Sequence, residues 1–205
     1  MTSKDKDLKN RLLEALPQLQ CKKCEYKDCE AYADAIIDNN ENVDRCEPGS
    51  LQTENQLINI LRESQKVIAV NEIKKFSIAE IKHEDCIGCT ICIKVCPVDA
   101  IIGAKHKIHF IINDQCNGCE LCISECPVNC MKMIVNPAEE SWAWPSIRSH
   151  QSKNFYKNKT IRLNNQKKEK ILARERLAST AKIKSYIKEA LLREENKRKQ
   201  AKVYE

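Results

Sequence analysis

Cys86-Ile87-Gly88-Cys89-Thr90-Ile91-Cys92-Ile93-Lys94-Val95-Cys96-Pro97 is followed, 30 residues on, by Cys116-Asn117-Gly118-Cys119-Glu120-Leu121-Cys122-Ile123-Ser124-Glu125-Cys126-Pro127. Both copies spell C-x2-C-x2-C-x3-C-P. A tight loop can bring three thiolates to one side of a cubane, but the fourth must arrive from elsewhere. In this spacing the cysteine before proline reaches across to the other cluster. The motif thus predicts two 4Fe–4S sets, Cys86, Cys89, Cys92 and Cys126 in one and Cys116, Cys119, Cys122 and Cys96 in the other. Structural zinc takes four ligands in all and needs neither the third close cysteine nor the Cys-Pro, so it fits this doubled pattern poorly.

The repeat extends outward. β-prone runs at 78–81 and 108–111 precede the two copies, which suggests one duplicated unit with a pseudo-twofold axis. Gly88 and Gly118 occupy equivalent loop positions, where main-chain N–H groups turn toward sulfur and a side chain would interfere. Pro97 and Pro127 are expected to turn the chain away, with a short helix after each. Cys130 stands where the first copy has Ala100, which predicts a buried thiol packing like alanine; a redox-reactive thiol or alternative ligand is the sharper reading.

Composition supports metal as the staple. Aromatic residues make 5% of the 205 and charged residues 31%, a weak basis for one large core, while cysteine occurs 13 times. The polar start of the chain has no secretory pattern, so a reducing, cytoplasmic setting is expected, where clustered thiols bind metal or do redox chemistry. The longest apolar runs, at 67–70 and 108–112, are far shorter than the ~20 residues a bilayer requires.

Upstream, Leu8, Leu12, Leu13 and Leu16 recur at helical spacing, behind Ser3 and Asp5 as candidate caps, and Pro17 stops the helix. Cys21, Cys24, Cys29 and Cys46 follow as C-x2-C-x4-C-x16-C, a tetrad that could hold zinc or one 4Fe–4S cluster. Tyr32, Ala33, Ile36 and Ile37 mark a short helix inside it, and Pro48-Gly49 closes the unit. Leu57, Ile60 and Leu61 suggest another helix. After Pro145 no glycine or proline remains, and a long helix is expected over about 165–202 with a narrow stripe of Leu172, Leu177, Ile183, Ile187, Ala190 and Leu191. The expected class is α+β, with a small helical N-terminal four-cysteine domain (1–50), a helical connector (51–76), a bicluster ferredoxin-like domain (77–136) and a basic helical tail (137–205).

Charge divides along the same line. Residues 1–136 hold 17 Lys/Arg against 21 Asp/Glu, whereas residues 137–205 hold 18 against 8. Asp99, Glu120 and Glu125 beside the cysteines are expected to be solvated. His83, His106, His109 and His150 show no ligand spacing and are expected on the surface or in strands. No phosphate loop, dinucleotide fingerprint or Ser/His/Asp constellation occurs, so no catalytic residue is assigned.

The run Leu16-Pro17-Gln18-Leu19-Gln20-Cys21, with Cys24, Cys29, Tyr32, Ala33, Ala35, Ile36 and Cys46-Glu47-Pro48-Gly49 ahead of a bicluster ferredoxin, resembles the B subunits of the Rnf/Rsx electron-transport complex over roughly residues 8–136. The resemblance implies a 4Fe–4S cluster on the N-terminal tetrad, three in all. It also implies electron passage between ferredoxin and NAD within a membrane complex that moves ions. Anchored members begin with a transmembrane helix, so this chain is similar to the short soluble form, reaching the membrane face only through partner subunits. Glycines usual around the first tetrad are replaced by Lys22, Glu25 and Asp28.

The expected function is non-catalytic electron relay, with Rnf/Rsx-type subunits, ferredoxin or a flavoprotein as redox partners. The alternatives are a free ferredoxin-like carrier or the iron–sulfur subunit of another oxidoreductase, the basic tail then serving as docking element. Nucleic-acid binding through the tail is disfavoured, because acidic residues are interspersed and no recognition module is visible.

Overall fold

The computed structural model describes residues 3–62, 76–136 and 144–201. The run at 67–70 and the end of the tail beyond residue 201 lie outside them. The chain falls into two compact units, Met1–Lys159 and Thr160–Glu205.

The first unit opens with three helices, α1 (Ser3–Ala15), α2 (Cys29–Asn39) and α3 (Ser50–Arg62). Ser3 and Asp5 lie inside α1 rather than ahead of it, and Pro17, with no N–H to offer, follows its end. Leu12 from the first and Leu16 just past its end, Tyr32 and Ile36 from the second and Leu57 from the third close a small apolar core. Thr53 is buried among them because its hydroxyl has two partners, donating to the Ala15 carbonyl at 3.2 Å and accepting from Trp144 Nε1 at 3.0 Å.

The second part of this unit is the duplicated one. Strand β1 (Ser77–Ile81) pairs antiparallel with β4 (Met131–Val135), and β2 (Ile101–Ile102) with β3 (Phe110–Ile111). A shift of 30 residues carries the pair Ile81–Met131 onto Ile111–Ile101, so the first strand of each copy pairs with the last strand of the other. The register obeys the pseudo-twofold the sequence implies. The second copy's leading strand is shorter than the expected 108–111: Ile108 is exposed and the chain joins the ladder only at Phe110.

Helices α4 (Ile91–Val95) and α5 (Leu121–Ser124) lie before the Cys-Pro steps, not after them. Proline cannot continue a helix, and the chain past it reverses through the left-handed residues Asp99 (φ 55) and Asn129 (φ 50) into β2 and β4. Thr90 (φ 64) and Glu120 (φ 65) enter the two helices in the same left-handed conformation, so the copies match turn for turn.

The final helix, α6 (Ile147–Ala201), begins 18 residues earlier than the expected 165. A reciprocal cap explains the start: Ser146 N–H donates to Ser149 Oγ at 2.9 Å and Ser149 N–H to Ser146 Oγ at 3.1 Å. Its opening turns dock, with Ser149, Ser152 and Lys159 buried. In the second unit, Leu172, Leu177, Ile183, Ile187 and Leu191 are all exposed, so the expected stripe covers no apolar surface there. Helices and two small sheets make the chain α+β, and among the described residues no helix is long and apolar enough to cross a membrane.

Candidate metal centres

One cavity is walled by Cys96, Cys116, Cys119 and Cys122, with Ala79, Val98 and Met133 among its other walls. Three of these thiols come from the second loop and Cys96 from the first motif. Main-chain donors already point at the sulfurs: Ala100 N–H lies 3.2 Å from Cys96 Sγ and Ala79 N–H 3.5 Å from Cys116 Sγ. Burial, reinforced by the neighbouring thiolates Cys116, Cys96 and Cys92, pushes Cys122 up to about 12. Burial also drives Cys119 far above the ordinary thiol range, with Cys96, Cys122 and Cys116 adding to it. Thiols so disposed hold their protons until a cation core compensates the charge.

Gly118 (φ 71) and Gly88 (φ 66) are the hinges of the two loops. A Cβ on Gly118 would run into the Ser77 carbonyl oxygen, and one on Gly88 would sit 2.5 Å from Lys107 N. The room they leave is thus taken by neighbouring main chain, and the left-handed φ is a second reason for glycine.

Around the first loop, Cys92 lies within electrostatic reach of Cys89, Cys86 and Cys126; burial first, then these neighbours, raises it to about 11. Burial works to raise Cys126 too, but N–H groups of Val128, Cys130 and Asn129 and the Cys130 thiol hold it below its ordinary value. Cys130 is buried as expected, yet it does more than pack, since its Sγ lies 3.4 Å from Cys126 Sγ. His109 departs from expectation. It is neither exposed nor in a strand: it is 1% exposed, with Nδ1 3.2 Å from Cys92 Sγ. No residue spacing signals it, because it approaches from the connection between the copies rather than from a cysteine loop. His83, His106 and His150 are exposed as expected.

In the N-terminal unit Cys29 is drawn together with Cys46, Cys21 and Cys24; burial raises its thiol strongly, and those three add to the effect. The loop is held by a buried chain of amides. Cys29 N–H donates to Gln20 Oε1 at 2.9 Å, Gln20 Nε2 to Gln18 Oε1 at 3.0 Å, and Gln18 Nε2 to the Leu13 carbonyl at 2.5 Å. These glutamines match the family run with no physical reason visible in the sequence. Lys22 (φ 61) and Glu25 (φ 70) do stand at left-handed positions, where glycine is the easier residue. Asp28 does not: its backbone is extended, and its carboxylate caps α2 by accepting from Ala31 N–H at 2.7 Å. Gly49 leaves the space beside Cys46, since a Cβ there would lie 2.9 Å from the Cys46 sulfur.

The N-terminal loop abuts the second ferredoxin loop. Cys21 and Cys119 line the same two cavities, Lys23 pairs with Glu120 at 3.1 Å, and Asn117 Nδ2 donates to the Leu19 carbonyl at 3.0 Å. Asp99 is likewise engaged, by Lys159 at 3.1 Å; of the three expected solvated carboxylates, Asp99 and Glu120 are instead fasteners. Among the described residues no group of three or more His, Cys, Asp or Glu side chains is arranged to hold a single metal ion.

Residues 79–133 match the family model of the 4Fe-4S dicluster domain, and residues 16–48 match that of an Fe-S cluster family. Similar curated proteins are the B subunits of the ion-translocating oxidoreductase complexes of Shewanella sp. (strain ANA-3) and Vibrio cholerae serotype O1. They are 47% and 46% identical over 133 and 131 residues, covering 63% of this chain and 67% of each relative. Their counterpart from Buchnera aphidicola subsp. Baizongia pistaciae is 44% identical over 127 residues, 60% of this chain and 75% of the relative. The chain therefore belongs to the family of B subunits of ion-translocating oxidoreductase complexes.

Proposed function

We propose that this chain relays single electrons through three 4Fe–4S clusters as the iron–sulfur subunit of an ion-translocating oxidoreductase complex. The proposed ligand sets are Cys21, Cys24, Cys29 and Cys46; Cys86, Cys89, Cys92 and Cys126; and Cys96, Cys116, Cys119 and Cys122. The observation that carries this is the cavity walled by Cys96 together with all three cysteines of the other copy's loop. Iron–sulfur clusters supply one-electron chemistry, and the chain supplies thiolates, burial and donors to the sulfurs.

The contacts between loops support an order of sites. Cys21 shares its cavities with Cys119, and Cys122 lies within reach of Cys92. The middle position goes to the Cys96, Cys116, Cys119 and Cys122 set, with the N-terminal set on one side and the Cys92 set on the other. Partners would be redox subunits of the same complex or a soluble ferredoxin or flavoprotein. Membrane association would come through those subunits, on the cytoplasmic face.

Iron and acid-labile sulfide on anaerobically purified protein, with zinc assayed in the same sample, test the reading. About 12 of each per chain is expected from three cubanes. About eight irons with one zinc would make the N-terminal set a structural zinc site and remove one end of the relay.

A further inference from the structure

The two copies of the duplicated unit are not equivalent around their thiols. The 30-residue offset places His109 opposite Ala79 and Cys130 opposite Ala100, so both substitutions of alanine by a hydrogen-bonding side chain occur in the second copy. The structure brings both to one thiol set. His109 Nδ1 lies 3.2 Å from Cys92 Sγ, and Cys130 Sγ lies 3.4 Å from Cys126 Sγ. Main-chain N–H donors reach Cys126 and Cys96 from equivalent positions, 130 and 100, so that pair of donors does not distinguish the two sets, whereas the side chains at 109 and 130 do.

The imidazole is seated at some expense. Its Nε2 is buried with no hydrogen-bond partner, a cost that packing alone gives no reason to bear. Gly103, one of only four glycines, makes room for it, since a Cβ there would collide with His109 Cδ2. A buried histidine with one nitrogen orphaned and the other on a sulfur is placed for the sulfur. A thiolate only accepts, so Nδ1 carries the proton and donates.

We infer that His109 is a positioning residue that raises the reduction potential of the cluster on Cys86, Cys89, Cys92 and Cys126, with the Cys130 thiol as a second donor, so that the two central clusters are unequal. This rests on the reading of those four cysteines as 4Fe–4S ligands. Reduction adds one negative charge spread over the sulfurs, and a donor aimed at a ligand sulfur stabilises the reduced state more than the oxidised one. Burial keeps water from replacing it. The Lys159 charge near Cys96 is paired with Asp99 on the other set, and no substitution at position 109 or 130 alters it.

The test is a redox titration followed by electron paramagnetic resonance on the full chain, wild type against His109→Ala, His109→Gln and Cys130→Ala. Alanine is the residue the duplication itself carries at both equivalent positions. In His109→Ala one central cluster should fall in potential, with about a tenfold smaller reduced fraction at a fixed potential, or about 59 mV for one electron. Cys130→Ala should shift the same cluster by less, and His109→Gln, which keeps an N–H donor, should recover part of the loss. Unshifted potentials in iron-replete variants, or equal shifts in both clusters, would overturn the inference. If His109→Ala loses iron, Cys130→Ala decides it: an unshifted potential in that iron-replete variant overturns the inference. A wild-type protein without two central clusters would instead defeat the ligand assignment itself.

Discussion

The Tyr156 hydroxyl donates to Oδ2 of Asp28 at 3.0 Å while Oδ1 of the same carboxylate accepts from Ala31 N–H at 2.7 Å. One side chain thus caps α2, which carries Cys29, and fastens it to the first turns of α6. Loss of an N-cap costs about 1 kcal/mol and loss of a hydrogen bond to a charged acceptor about 1.5 more. Asp28→Ala should therefore destabilise the N-terminal unit by about 2.5 kcal/mol in urea unfolding. Asp28→Gly loses the same Tyr156 contact but caps better than alanine, so it should cost less than Asp28→Ala while still destabilising, because the extended backbone gains nothing from glycine. A stabilised glycine variant would show that the position is conformational after all.

Lys22 behaves oppositely. Its φ of 61 places a β-carbon in the left-handed region, at a cost of about 1 kcal/mol. Its side chain is exposed, and the neighbouring Lys23, not Lys22, makes the ion pairs to Glu47 and Glu120. Lys22→Gly should raise the urea midpoint, with a net gain of about 0.5 kcal/mol once the freer unfolded chain is counted. An unchanged or lower midpoint would mean that the lysine stem contributes packing.

Gly118→Ala should be severe. The added Cβ meets the Ser77 carbonyl oxygen, a main-chain atom at the start of β1, and the φ of 71 is unfavourable as well. Relief would require β1 to move from β4, so a loss of more than about 3 kcal/mol is expected. Iron content should drop by about four atoms or more, one cubane's worth. Retention of the wild-type iron count would show that the loop can yield.

Lys159 lies 7% exposed, its ammonium pairing with Asp99 and donating to the carbonyls of Ile93, Lys94 and Cys96. It therefore fills the end of α4, where unpaired carbonyls collect. Lys159→Met keeps most of the volume but strands those acceptors, at a cost of about 2–3 kcal/mol. Asp99→Asn, removing only the half-exposed carboxylate, should cost about 1 kcal/mol or less. Equal losses would mean that the ion pair, rather than the carbonyl contacts, is what holds α6 to the turn.

The ferredoxin half was legible because its signals are local: cysteine spacing, a repeated glycine and a fixed offset that also dictates which strands pair. The three helices near the N-terminus were legible from Leu12, Tyr32 and Leu57 at helical spacing. What escaped depends on contacts distant in sequence. His109 reaches Cys92 across 17 residues, and Asn117 joins Leu19 and Ser152, 98 and 35 residues away. The start of α6 escaped because its cap uses serine at the position where a glutamate is the recognisable sign.

Without iron, the buried thiols should make the folded chain sensitive to alkali. Cys92 is raised from 9.0 to about 11 and Cys122 to about 12, in both cases chiefly by burial. A thiol whose pKa is higher in the folded state binds its proton more tightly there, so its contribution is fully present below pH 9 and is lost as pH rises toward 11–12. Metal-free protein should thus show a urea midpoint that is level from pH 7 to 8.5 and falls steadily above 9. With clusters bound the same thiolates carry no proton, and the midpoint should stay level over that range. Urea titrations of both forms at pH 7.5, 9 and 10.5 check this. A parallel decline in the two forms would place the alkaline sensitivity elsewhere, in lysine or tyrosine contacts rather than in the cysteine sets.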